Sequence, residues 1–235
     1  MKNLNTKILA VGLSAVMLTS AIAACKTANT DADPAATSAA TDATAPEGGA
    51  ATLGGWKIPD SIAVTADEQA AFDKAIAAEK DYAYKPVFIL ASQVVAGTNY
   101  CFLSETTSGA KGYALTYINV DPSGEAKFLK DEKIVLPGTE SGEQLAGGWT
   151  YAESPEISLD LDEVLNKATD EKLGMDYVAI ALIGSQVVSG TNYAVLYKVT
   201  PLTENAESTY QIVYIYEDLQ GNATVSENVG IDIGV

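Results

Sequence analysis

Ser92-Gln93-Val94-Val95-Ala96-Gly97-Thr98-Asn99-Tyr100 recurs, almost unchanged, as Ser185-Gln186-Val187-Val188-Ser189-Gly190-Thr191-Asn192-Tyr193, 93 residues later in a chain of 235. Each copy sits between runs rich in Val, Ile, Phe and Leu: Pro86–Val95 and Tyr100–Leu103 in the first, Val178–Val188 and Tyr193–Val199 in the second. Two apolar runs parted by a short glycine-bearing stretch read as two strands joined by a tight bend, with Gly97 and Gly190 free to take positive φ.

Working outward, the same shift lays Gly54-Gly55-Trp56 on Gly147-Gly148-Trp149 and Tyr84 on Tyr177. After a four-residue insertion, Tyr113, Tyr117, Ile118, Asp121 and Gly124 fall on Tyr210, Tyr214, Ile215, Asp218 and Gly221. A repeat this long duplicates a whole unit, since solenoid periods are roughly 20 to 50 residues. Thr65 with Glu68 makes a capping box ahead of Phe72, Ala75 and Ile76, and Ser158 stands before Leu161, Val164, Leu165 and Ala168 at helical spacing. One helix therefore opens each copy. Asp121-Pro122-Ser123-Gly124 and Asp218-Leu219-Gln220-Gly221 mark turns between two further strands. The simplest assembly is an antiparallel four-stranded sheet with one apolar face covered by the helix, an α+β class.

Ahead of the repeat, Lys2 and Lys7 precede a weakly apolar run from Ile8 to Ala24 that is too short and too interrupted for a membrane span and reads as a signal peptide. Ile22-Ala23-Ala24-Cys25 resembles a bacterial lipobox, which makes Cys25 the lipidation site and places the chain on the extracytoplasmic side of a bacterial membrane. The stretch from Lys26 to Leu53, built from Ala, Thr, Asp, Pro and Gly, lacks the apolar content to fold and reads as a tether. The expected organisation is signal peptide 1–24, tether 25–53, first unit 54–143 and second unit 144–235. With Cys25 lipidated, Cys101 has no disulfide partner, and its counterpart is Ala194, so it reads as a small buried strand residue.

Fourteen Lys and Arg against 31 Asp and Glu give a formal charge of −17, which repels nucleic acid and anionic lipid. Contact with the membrane is then through the lipid alone. Histidine is absent, which removes Ser-His-Asp and Cys-His catalysis and imidazole zinc sites. Asp and Glu are scattered, without a glycosidase-like pair. The sequence therefore indicates no catalytic residue, no metal ligand and no cofactor, and reads as a non-enzyme. The oligomeric state is not encoded in any of these features.

Gln93-Val94-Val95-Ala96-Gly97 and Gln186-Val187-Val188-Ser189-Gly190 resemble the Gln-x-Val-x-Gly motif of the cystatins, and the form extended to Tyr100 and Tyr193 is similar to that of the disulfide-free stefins. Gly54-Gly55 and Gly147-Gly148 match the glycine that precedes the helix in that family. The resemblance implies two tandem cystatin-like domains, each a four-stranded antiparallel sheet wrapped around its N-terminal helix. It also implies reversible, non-covalent plugging of papain-like cysteine proteases by a wedge of glycine segment and hairpin loops. The implied contacts are Gly55, Gln93, Val94, Val95, Ala96, Gly97 and Pro122 in the first copy, and Gly148, Gln186, Val187, Val188, Ser189, Gly190 and Leu219 in the second. The family often carries Pro-Trp or Leu-Pro in its second hairpin, where this chain has Asp121-Pro122-Ser123-Gly124 and Asp218-Leu219-Gln220-Gly221; a weaker third contact follows. Leu136-Pro137-Gly138 is similar to the stefin loop too, but the repeat register assigns it to a connection. Trp56 and Trp149 read as packing residues. The alternative is a surface binding or adhesion module that inhibits no protease.

Overall fold

The strands at the heart of each copy are buried on both faces, and that decides the architecture. Ile89-Leu90-Ala91 and Cys101-Phe102-Leu103 are consecutive residues, each almost fully buried. Successive strand residues point to opposite faces, so an uninterrupted buried run needs a cover on each side. A computed structural model describes residues 54–79, 83–139, 147–170 and 172–233. The signal-peptide, Cys25 and tether readings lie outside the described residues.

In the first copy β1 (Trp56–Lys57) leads to helix α1 (Ala66–Ala77), then to β2 (Tyr84–Val95), β3 (Gly97–Thr106), β4 (Tyr113–Val120) and β5 (Ala126–Ile134). The second runs β6 (Thr150–Tyr151), α2 (Leu159–Thr169), β7 (Met175–Val188), β8 (Gly190–Pro201), β9 (Thr209–Glu217) and β10 (Ala223–Ile231). Each copy forms one five-stranded antiparallel sheet in simple chain order, β1-β2-β3-β4-β5 and β6-β7-β8-β9-β10.

Each helix begins where its cap dictates. Thr65 Oγ1 accepts from the Glu68 amide at 3.3 Å while the Glu68 carboxylate accepts from the Thr65 amide at 2.8 Å, and Ser158 Oγ accepts from the Leu161 amide at 3.2 Å. Phe72 and Ala75 of α1 bury against Ile89, Phe102 and Ile118; Leu165 and Ala168 of α2 bury against Val195, Tyr197 and Val213. The alternate residues of the same strands turn the other way. Leu90, Cys101, Leu103, Leu115 and Tyr117 from the first sheet join Ile180, Ile183, Ala194, Leu196 and Ile212 from the second in one shared core. The order of layers is helix, sheet, sheet, helix, and the described residues fall in one compact unit.

This corrects the expectation of two cystatin-like α+β domains, each with a four-stranded sheet wrapped around a helix. The fold is mostly β: two five-stranded sheets packed face to face, with helices of 12 and 11 residues confined to the outer surfaces. The physical reason is the second apolar face. A single helix covers one side of a sheet, and the Cys101–Leu103–Leu115–Tyr117 side is covered by the other sheet. The fifth strand is the two-residue β1 or β6: Trp56 opens β1, and Trp149 immediately precedes β6. Trp56 pairs with Gln93 and meets Tyr117 edge-on at 5.8 Å between ring centroids; Trp149 meets Tyr214 at 5.3 Å. Leu136 is fully buried in the shared core, just beyond β5.

Candidate functional site

The bend between β2 and β3 is closed by the pair Val95 and Gly97, leaving Ala96 alone at its tip. Gly97 adopts φ +110°. A Cβ there would also strike the Val120 carbonyl oxygen and lie 2.9 Å from the Asp121 Cα, so glycine is required by conformation and by space. Gly190 repeats this at φ +121°, against the Glu217 carbonyl and the Tyr216 ring. The close approach of Gly97 to Asp121 brings the two hairpins of the first copy side by side.

The glycine segment is tied to the bend by a side chain. Gln93 Nε2 donates to the Gly54 carbonyl at 2.6 Å, and Gln93 Oε1 accepts from Asn99 Nδ2 at 2.8 Å. Asn99 Oδ1 in turn accepts from Asn119 Nδ2 at 2.8 Å, so three amides brace the base of the bend. In the second copy Gln186 Nε2 donates to the Gly147 carbonyl at 2.9 Å, and Gln186 Oε1 accepts from Asn192 Nδ2 at 2.9 Å. Tyr216, which pairs with Asn192 as Asn119 pairs with Asn99, instead sends its hydroxyl to the Ser189 carbonyl at 2.5 Å. Gln93 and Gln186 thus act inward, while the valines beyond them face outward. Val94 is 71 % exposed and Val187 72 %, and Val95 and Val188 are exposed as well.

The β4–β5 and β9–β10 turns are held by their aspartates. Asp121 Oδ1 accepts from the Ser123 amide at 2.8 Å, the Ser123 hydroxyl at 2.6 Å and the Glu125 amide at 3.0 Å. Asp218 accepts from the Gln220 and Asn222 amides at 2.8 and 2.9 Å, and from Asn222 Nδ2 at 2.8 Å. Hydrogen bonding to the charged form, chiefly from Ser123 and Asn222 respectively, holds both carboxyls below their ordinary value of 3.8. Pro122 is exposed at the first turn, and Leu219, 77 % exposed, at the second.

Gly55, Gln93, Val94, Val95, Ala96, Gly97 and Pro122 therefore gather at one end of the first sheet. Gly148, Gln186, Val187, Val188, Ser189, Gly190 and Leu219 gather at one end of the second. Tyr113, at the end of the first sheet remote from Gly97, donates to the Ala152 carbonyl at 2.9 Å, and Ala152 bonds Ile183 in the upper part of β7. Reciprocally, Tyr210, remote from Gly190, donates to the Leu90 carbonyl at 2.9 Å. The foot of each sheet lies against the shoulder of the other, and strand rise of roughly 3.3 Å per residue sets the first bend about 20 Å beyond Leu90 and the second about 30 Å beyond Tyr210.

Asn99, Asn119, Tyr216 and the carbonyls of Gly54 and Gly147 shape the site without having been assigned to it from sequence. Asn99 and Asn192 lie inside the repeated stretch, which was the available signal; a backbone acceptor leaves none. The surface so made is suited to binding. Burial pushes the Cys101 thiol up to about 12, so it stays protonated near neutrality, and among the described residues no group of three or more Cys, Asp or Glu is placed to hold a metal ion. No protein-family model matches the chain, and a search of curated proteins finds no significant match.

Proposed function

We propose that this chain is a binding protein that inhibits papain-like cysteine proteases by inserting its valine-bearing bends into the substrate cleft. The supporting observation is the pairing of two exposed valines with a bend whose shape is fixed from below. Gln93 and Asn99 tie it to the glycine segment, Gly97 locks it against the neighbouring turn, and Val94 and Val95 are left to meet an apolar wall. A braced bend loses little conformational freedom on docking, and Val94 and Val187, at 71 % and 72 % exposed, leave most of their apolar surface free for a partner. The reading rests on the bend motif and its exposure and takes nothing from the overall fold.

Papain hydrolysing a fluorogenic peptide is the direct assay. Micromolar protein slows it reversibly, and the double substitution Val94→Asp with Val187→Asp, at two largely exposed positions, restores the rate. Full papain activity at micromolar protein refutes the proposal. The polar, self-satisfied Asp121-Pro122-Ser123-Gly124 turn favours the second reading, adhesion without inhibition. That reading gains if a non-protease partner is captured and the valine substitutions leave its binding intact.

A further inference from the structure

We infer that the molecule is a two-ended bridge, able to hold one cleft-bearing partner at each pole at the same time. The inference rests on the cleft-insertion reading, and the new step is geometric. Two sites on one chain exclude each other when they share a face, because a globular partner covers far more than the few residues it grips. Here Ile134, Tyr113 and Lys111, side by side across the foot of the first sheet, meet Tyr151, Ala152 and Glu153 in turn along the edge of the second, so the strands of the two sheets cross and each bend leaves the molecule along its own sheet. From the Tyr210–Leu90 contact the bends stand about 20 Å and about 30 Å away along separate strands, each farther than the radius of gyration of a domain of some 200 residues, which 2.2·N^0.38 Å puts at roughly 16 Å. Each pole also carries its complete set of elements: a braced glycine segment, an exposed valine pair and an aspartate-closed turn. Neither borrows a residue from the other, so filling one leaves the other intact.

The ends are not identical. The first bend is braced by Asn119, whereas the second is held at its tip by Tyr216 and has Leu219 beside its turn.

The test is stoichiometry in solution, with the full chain and papain inactivated by carbamidomethylation of its thiol, read by light scattering during size-exclusion chromatography. The expected plateau is two papains per chain. Val94→Asp and Val187→Asp each lower it to one, and the two together abolish the complex. A plateau of one, with each single variant still holding one, shows mutually exclusive poles and overturns the bridge while leaving the cleft-insertion reading standing. No complex with the unaltered chain overturns both.

Discussion

Gly97 and Gly124 both hold positive φ, at +110° and +83°, yet they differ in what surrounds them. A methyl group on Gly124 meets nothing within 4 Å, whereas on Gly97 it drives into the Val120 carbonyl and the Asp121 backbone. Gly124→Ala should therefore cost only the left-handed backbone penalty of about 1 kcal/mol, and Gly97→Ala that penalty plus a steric term, about 3 kcal/mol together. Urea denaturation of the two variants checks the difference; equal midpoints would refute the close approach. This distinction was half legible. The doubled Gln-to-Tyr stretch marked Gly97 and Gly190 as bend residues, but the partner they abut lies more than twenty positions further along the chain. The brace was hidden for a related reason: Gln93 grips a carbonyl, Gly54, and every residue carries one of those.

Among the elements, the turns respond to acid in a definite direction. Asp121 and Asp218 have carboxyls held below their ordinary value by the hydrogen bonds they accept, so each favours the folded turn when ionised. The contribution is present above the ordinary value of 3.8 and is lost as pH falls through the lower folded value. Amide exchange at Ser123, Glu125, Gln220 and Asn222, corrected for its intrinsic pH dependence, should lose protection below about pH 4. Unchanged protection down to pH 2 would contradict the role given to these side chains. Helix starts and hairpin turns were readable because caps and turn residues are local chemistry. The two-residue strands β1 and β6 were not, being too short to show any alternation; Trp56 and Thr150 are strand residues because of what they pair with, Gln93 and Ser185. The run Ile89-Leu90-Ala91 was read as a strand, yet its unbroken apolarity carried a second message, that both sides of the sheet are covered.

At the scale of the whole molecule, the shared core makes each copy dependent on the other. Leu103, Tyr113, Leu115 and Tyr117 on one side, and Ala194, Leu196, Tyr210 and Ile212 on the other, would face water if the copies were parted. Residues 54–139 produced alone should bind a hydrophobic dye and self-associate, and adding 147–233 should reverse this; a soluble, dye-negative monomer from either half would show that the sheets fold independently. The repeat was evident from residue identities, but nothing local says that two like units will share a face, since that depends on which side of each sheet its own helix leaves bare. The chain passes into the first sheet beside Gln93, and Ile233, the last described residue, packs into the core just beyond Ile231, whose partner Tyr210 bonds Leu90 near the same end. The first and last described residues thus lie toward one extremity, so a support attached directly before Gly54 would crowd Val94 and leave Val187 as the outermost point, a handedness of presentation that grafting the support elsewhere would invert.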